Sequence, residues 1–121
     1  MKIHFDSSRF GEVIINGRSY GDVLIIGDEI EKRDDFRLER ELGTDHLIGD
    51  WEVKKLLSNR PETVIIGTGT VGDLRVASEV RERFKKAKVE LITRTTPQAI
   101  SEYNNLVKIT KKINALIHTT C

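Results

Sequence analysis

The chain contains a single cysteine, Cys121. No intrachain disulfide can form, so the fold must be held by its apolar core, and a reducing compartment, the cytoplasm, is the expected location. An excess of charge is also missing, since 20 Lys and Arg stand against 19 Asp and Glu, a formal net charge of +1. That balance gives no single-sign field for nucleic acid or an anionic membrane, and neither is expected as a partner. Any charged site must be local. No apolar run approaches the roughly 20 residues needed to span a bilayer, and Met1 to Asp6 lacks the apolar segment of a signal peptide. Internal repeats and low-complexity linkers are absent as well. At 121 residues the chain reads as one domain, 1–121, large enough for a core without metal.

Residues 10 to 26 carry the strongest β pattern. Glu12 to Ile15 and Arg18 to Tyr20 flank Asn16-Gly17, a pair suited to the positive φ values of a two-residue type I′ hairpin turn. Val23 to Ile26 is apolar on both faces and predicts a strand covered on both sides. The charged run from Asp28 to Leu42 is read as strand, from the two-residue spacing of Phe36 and Leu38 and, after Arg40, Leu42, and as a solvated face. Asp50 is the expected N-cap of a short helix with Val53, Leu56 and Leu57 on one side. Pro61 ends that stretch, and Thr63 to Ile66 follows as a strand.

The second half alternates. Leu74, Ala77, Val80, Phe84 and Ala87 step by three and four, the spacing of an amphipathic helix. Val89, Leu91 and Ile92 form a strand, a helix begins near Thr96-Pro97 with Ile100, Tyr103, Leu106 and Val107 inward, and Ile113 to His118 is a last strand. The expectation is a single three-layer α/β domain with a mixed central sheet, hairpin-rich in its N-terminal half and βαβαβ in its C-terminal half.

Gly67, Gly69 and Gly72 fall at the G-x-G-x-x-G spacing between a strand and a helical pattern. Glycines there let the backbone approach a phosphate, and a helix N-terminus attracts the anion. The fingerprint also asks for an acid about 20 residues on, at the end of the next strand. Glu90 lies inside that strand and Thr93-Arg94 occupies its end, so Arg94 is the residue placed to face a phosphate. Three readings stay open: a dinucleotide site, a looser anion or small-ligand site on Gly67, Thr68, Gly69, Gly72 and Arg94, and a purely structural turn.

Other chemistry is sparse. His118 and Cys121 lie three apart and would point to opposite faces of a strand, so no metal is expected. His46, after a Gly-Thr-Asp turn, is a general base or a hydrogen-bonded loop residue. Asn104 and His118 join it as candidates near the glycine turn. No G-x-S-x-G turn is present, catalytic residues are not assignable, and no cofactor is expected.

Ile65-Ile66-Gly67-Thr68-Gly69, the Thr96 to Leu106 segment with Ala99-x-x-x-Tyr103-Asn104-x-Leu106, and His118-Thr119-Thr120-Cys121 carry a resemblance, supported by Gly43 to His46 and the early hairpin. Together they resemble a family of small uncharacterised archaeal and bacterial proteins whose animal relatives include the adipogenesis-associated domain protein and mitochondrial complex I assembly factor 3. The resemblance implies a three-layer α/β fold and supplies no catalytic residues. The leading expectation is therefore a non-enzymatic interaction or assembly-type domain with an unidentified protein partner or a second copy of itself. The alternative is a small-molecule or anion binder, or an enzyme, using the Gly67 to Gly72 strand-to-helix turn.

Overall fold

The computed structural model describes residues 2–109 and 112–121. Its N-terminal third is made of hairpins. β1 (Phe5–Arg9), β2 (Glu12–Ile15) and β3 (Arg18–Tyr20) form a small antiparallel sheet in that order. Asn16 and Gly17 sit at φ 49° and 81° between β2 and β3, as the type I′ turn requires. The next hairpin, β4 (Val23–Ile26) and β5 (Glu29–Lys32), belongs to the central sheet instead.

That sheet has the order β5-β4-β8-β6-β7. β6 (Thr63–Thr68) lies parallel to β7 (Glu90–Arg94) on one side and to β8 (Ile113–His118) on the other, while β4 runs antiparallel to β8. Alternation along the strands makes two cores. Val23, Ile25, Ile65, Ala115 and Ile117 face α4 (Thr96–Leu106) and the three-stranded sheet, where Phe5 meets Tyr103 edge to face at 5.1 Å. Leu24, Val64, Ile66 and Leu116 face α2 (Asp50–Leu56) and α3 (Ser78–Lys86) through Val53, Leu56, Val80 and Phe84. The result is three layers in a single compact domain with a mixed central sheet, as expected. No described helix is long and apolar enough to cross a membrane.

Local departures from the sequence reading have physical causes. Residues Asp35–Leu42 form a helix, α1, not the expected strand. Asp34 accepts the Arg37 amide at its start, Gly43 takes φ 74° at its end, and Leu38 is the one residue it buries. With Phe36 exposed, the two-residue spacing has no apolar face to fill, and helix formers between good caps prevail. α3 starts at Ser78, so Leu74 and Ala77 reach the same core from a loop rather than a helix. Gly49, not Asp50, occupies the N-cap of α2, and the Glu52 carboxylate accepts the Gly49 amide at 3.0 Å.

The assignment of α1 has a direct test. Leu38→Ala should cost about 2–5 kcal/mol in urea unfolding, whereas Phe36→Ala should stay within about 0.5 kcal/mol of the parent. A strand would present both residues to the same face and make the two costs similar.

Candidate functional site

The parallel register aligns Thr68, the last residue of β6, with His118, the last of β8. Two loops meet above these carboxyl ends, 43–49 entering α2 and 69–77 entering α3, and the Arg75 amide ties them by donating to the His46 carbonyl at 2.8 Å. The carboxyl ends of parallel strands are where open α/β sheets place their ligands. Here the loops enclose a cleft of about 420 Å³ lined by Thr44, His46, Leu47, Gly72, Asp73 and Arg75.

Beneath the cleft lies a buried polar network. Val23 pairs with Ile117, so Asp22, one step earlier, stands beside His118. One Asp22 oxygen lies 2.6 Å from His118 Nδ1 and accepts from Arg33 at 3.2 Å, while the other accepts the Thr119 amide at 2.7 Å and hydroxyl at 2.8 Å. Burial alone would raise the Asp22 carboxyl, but the hydrogen bond and charge of His118, with both Thr119 donors, hold it down at about 2. With an ionised carboxylate as partner, Nδ1 carries the His118 ring proton, and Nε2 faces the Thr120 hydroxyl at 3.2 Å.

Arg33 connects this carboxylate to the loop above. Its side chain is wholly buried and forks onto Glu52, also wholly buried, at 2.7 and 2.9 Å. Its remaining N–H groups donate to the Asp45 and Leu47 carbonyls at 3.0 and 2.9 Å, fixing the loop that carries His46. Burial works against the guanidinium charge, yet Glu52 and Asp22 outweigh it and raise the Arg33 pKa above its ordinary value. His46 then lies edge to face with His118, ring centres 5.2 Å apart.

The glycine turn has a different local construction from the one expected. A nine-residue connection, 69–77, separates β6 from α3, so no helix N-terminus follows the glycines. The Gly69 amide donates to Thr96 Oγ1 at 2.9 Å, Thr70 to the Thr120 carbonyl at 2.8 Å, and Val71 and Asp73 to Cys121 O at 3.2 and 3.0 Å. Gly69, at φ 105°, is required by this wrapping, because a Cβ would overlap the Cys121 carbonyl and come within 2.9 Å of His118. Gly67 is buried in β6, where a Cβ would press on Ile117, Thr96 and Ala99.

The structure therefore brings His46, His118, Gly69, Gly72 and Thr68 to one end of the sheet. Arg94, at the end of β7, belongs to that same end, where its carbonyl accepts from the Thr68 hydroxyl at 3.0 Å, while Asn104 lies elsewhere. Arg94 ends the edge strand β7, exposed, 3.6 Å from Glu102. Asn104, on α4 across the sheet, accepts the Phe5 amide at 2.9 Å and donates to its carbonyl at 2.7 Å, pinning β1. Asp22, Arg33, Asp45 and Glu52 are the residues the sequence reading missed. The solvated-face reading of 28–42 fails at Arg33, whose partners lie 11 and 19 residues away. Asp22 beside Gly21 has the signature of a turn, and only strand pairing places it opposite His118.

The comparisons with known proteins agree on the fold. The model of a family described as protein of unknown function (DUF498/DUF598) matches residues 5–118. Among solved structures, a conserved hypothetical protein of Pyrococcus horikoshii is 30% identical with a TM-score of 0.85, each chain covered in full. A protein designated MT938 is 29% identical, TM-score 0.81, over 99% of this chain and 100% of that one. An outer membrane protein from Bartonella henselae is 20% identical, TM-score 0.79, over 99% and 97%, a likeness of fold alone.

Removing one partner of the buried ion pair should be costly. Glu52→Gln is expected to lower unfolding free energy by about 3–5 kcal/mol, because Arg33 stays buried with its charge uncompensated. The Asp22 carboxyl has a second, pH-dependent consequence. Its folded pKa of about 2 lies below the unfolded value of 3.8, so its stabilisation is complete above the unfolded pKa and is lost as pH falls through the folded one. Acid titration of stability should show this loss in the parent chain and not in Asp22→Asn.

Proposed function

The chain belongs to the DUF498/DUF598 family, and from that premise we propose that its cleft binds a small polar molecule carrying a negatively charged group. The observation that carries the reading is the pairing, in one concavity, of the His46 imidazole with the Arg75 guanidinium. Arg75 has no carboxylate in ion-pair range among the described residues. Polar groups set in a partly apolar lining, over a floor whose buried polar side chains are hydrogen-bonded, are how specific small-ligand sites are built. Arg75 supplies charge and a donor fork, His46 a hydrogen-bonding group, and the buried Arg33 keeps the His46 loop in place.

A second reading is the interaction or assembly domain, with a protein partner or a second copy of the chain. Its support is the resemblance to the adipogenesis-associated domain protein and the complex I assembly factor, together with exposed Phe10, Phe36, Val71 and Ile109. Those side chains sit on four separate segments, so the cleft is the better defined feature. Light scattering across a concentration series tests self-association directly.

The ligand reading predicts that small phosphates or carboxylates, screened in a chelator-containing buffer, raise the melting temperature of the parent chain. Arg75→Ala should abolish the shift, and Arg94→Ala should leave it intact. A larger cavity of about 520 Å³, at the opposite end of the strands, is lined in part by Arg60 and Lys112. Loss of the shift in Arg60→Ala with retention in Arg75→Ala would contradict the placement, as would a flat response across the panel.

A further inference from the structure

We propose that Asp45, His46 and His118 form a site for one divalent transition-metal ion of the zinc class, with the Asp22 carboxylate orienting the His118 ring behind it. One ligating atom from each of the three residues lies within 4.8 Å of the others. His46 Nε2 and Asp45 Oδ1 are already 3.6 Å apart. Four-coordinate zinc, with bonds of about 2.0–2.2 Å, holds its donor atoms roughly 3.3–3.5 Å from one another. The remaining contraction is within reach, because Asp45 and His46 are partly exposed, at 35% and 40%, on a loop.

The surroundings match the way proteins prepare histidine ligands. A metal-binding imidazole usually gives its second ring nitrogen to a carboxylate, which fixes the ring and strengthens the other nitrogen as a donor. Asp22 does this at 2.6 Å, leaving Nε2 as the ring nitrogen available to ligate. Its present neighbour is the Thr120 hydroxyl, which can rotate away. A second group of carboxylate oxygens, from Asp22, Asp35 and Asp45, also lies within 4.8 Å. The buried Arg33 pairs with both Asp22 and Glu52, two carboxylates for one cation, so Asp35 and Asp45 add to the negative charge beside the two imidazoles. The donor set differs from the His118 and Cys121 pair that the sequence suggested for consideration, because Cys121 is turned into the 69–73 loop.

Two imidazoles and a carboxylate are borderline donors that suit zinc better than magnesium or calcium, which prefer oxygen throughout. Three protein donors leave a four-coordinate ion one further position, for water or for an anionic group of the cleft's ligand. The coordination set does not depend on the small-ligand reading of the same cleft.

The test is titration of the chelator-treated full chain with Co²⁺, followed optically, and displacement by Zn²⁺. One equivalent should bind with the intense visible bands of a four-coordinate ion. His46→Ala, a loop variant whose folding is checked by circular dichroism, should abolish that stoichiometric signal, and Asp22→Asn should weaken binding about 10–100-fold. Absence of saturable binding at one equivalent overturns the proposal, as does binding that is unchanged in His46→Ala. Ligand stabilisation is measured in chelator, so a negative metal result with a positive melt overturns the metal site alone.

Discussion

The Asp22 carboxylate is the group on which the construction around the carboxyl ends of β6 and β8 depends. It lies at the junction of the hairpin-rich half and the alternating half, and it receives four donors from three residues: Arg33, His118 and Thr119. An ionised carboxylate removed from water is tolerated only when its lone pairs are used in this way. Because the donors come from the ends of β5 and β8, the two strands that flank β4, and Arg33 also holds the Asp45 and Leu47 carbonyls, satisfying Asp22 fixes the relative positions of β4, β8 and the 43–49 loop. No buried side-chain nitrogen or oxygen among the described residues is left without a partner. The apolar cores hold the layers together, while this network sets where the imidazoles stand.

The last residues of the chain complete the arrangement. Beyond His118, Thr119 donates to Asp22, its carbonyl accepts from Gly11, and the carbonyls of Thr120 and Cys121 take up amides of the glycine turn. The Thr96 hydroxyl accepts from the Gly69 amide and donates to the His118 carbonyl. Glycine spacing that resembles a phosphate cradle thus serves close approach of one backbone to another.

Much of the fold was legible because it rests on local signals. The Asn16-Gly17 turn, the doubly apolar β4, the Thr96-Pro97 helix start and the alternation of the second half all have short-range causes. α1 was misread because Phe36 and Leu38 mimic a strand, while the deciding caps at Asp34 and Gly43 are single residues. His46 and His118 were legible only as isolated candidates. Their relation, and the part played by Asp22, Arg33 and Glu52, follows from strand order, since β4 pairs with β8 across 90 or so residues of chain. Sequence periodicity carries no information about that distance. The same gap explains why Asn104, close to the glycine turn in the sequence reading, belongs to the packing of β1.

The central claim is that Asp22 holds the His118 ring in one orientation, with the Nδ1 proton directed at the carboxylate. Long-range ¹H–¹⁵N correlation NMR of the imidazole reads this directly. A protonated, slowly exchanging Nδ1 is predicted in the metal-free chain at neutral pH, with that protection lost in Asp22→Asn. An unprotonated or rapidly exchanging Nδ1 in the parent chain would contradict it.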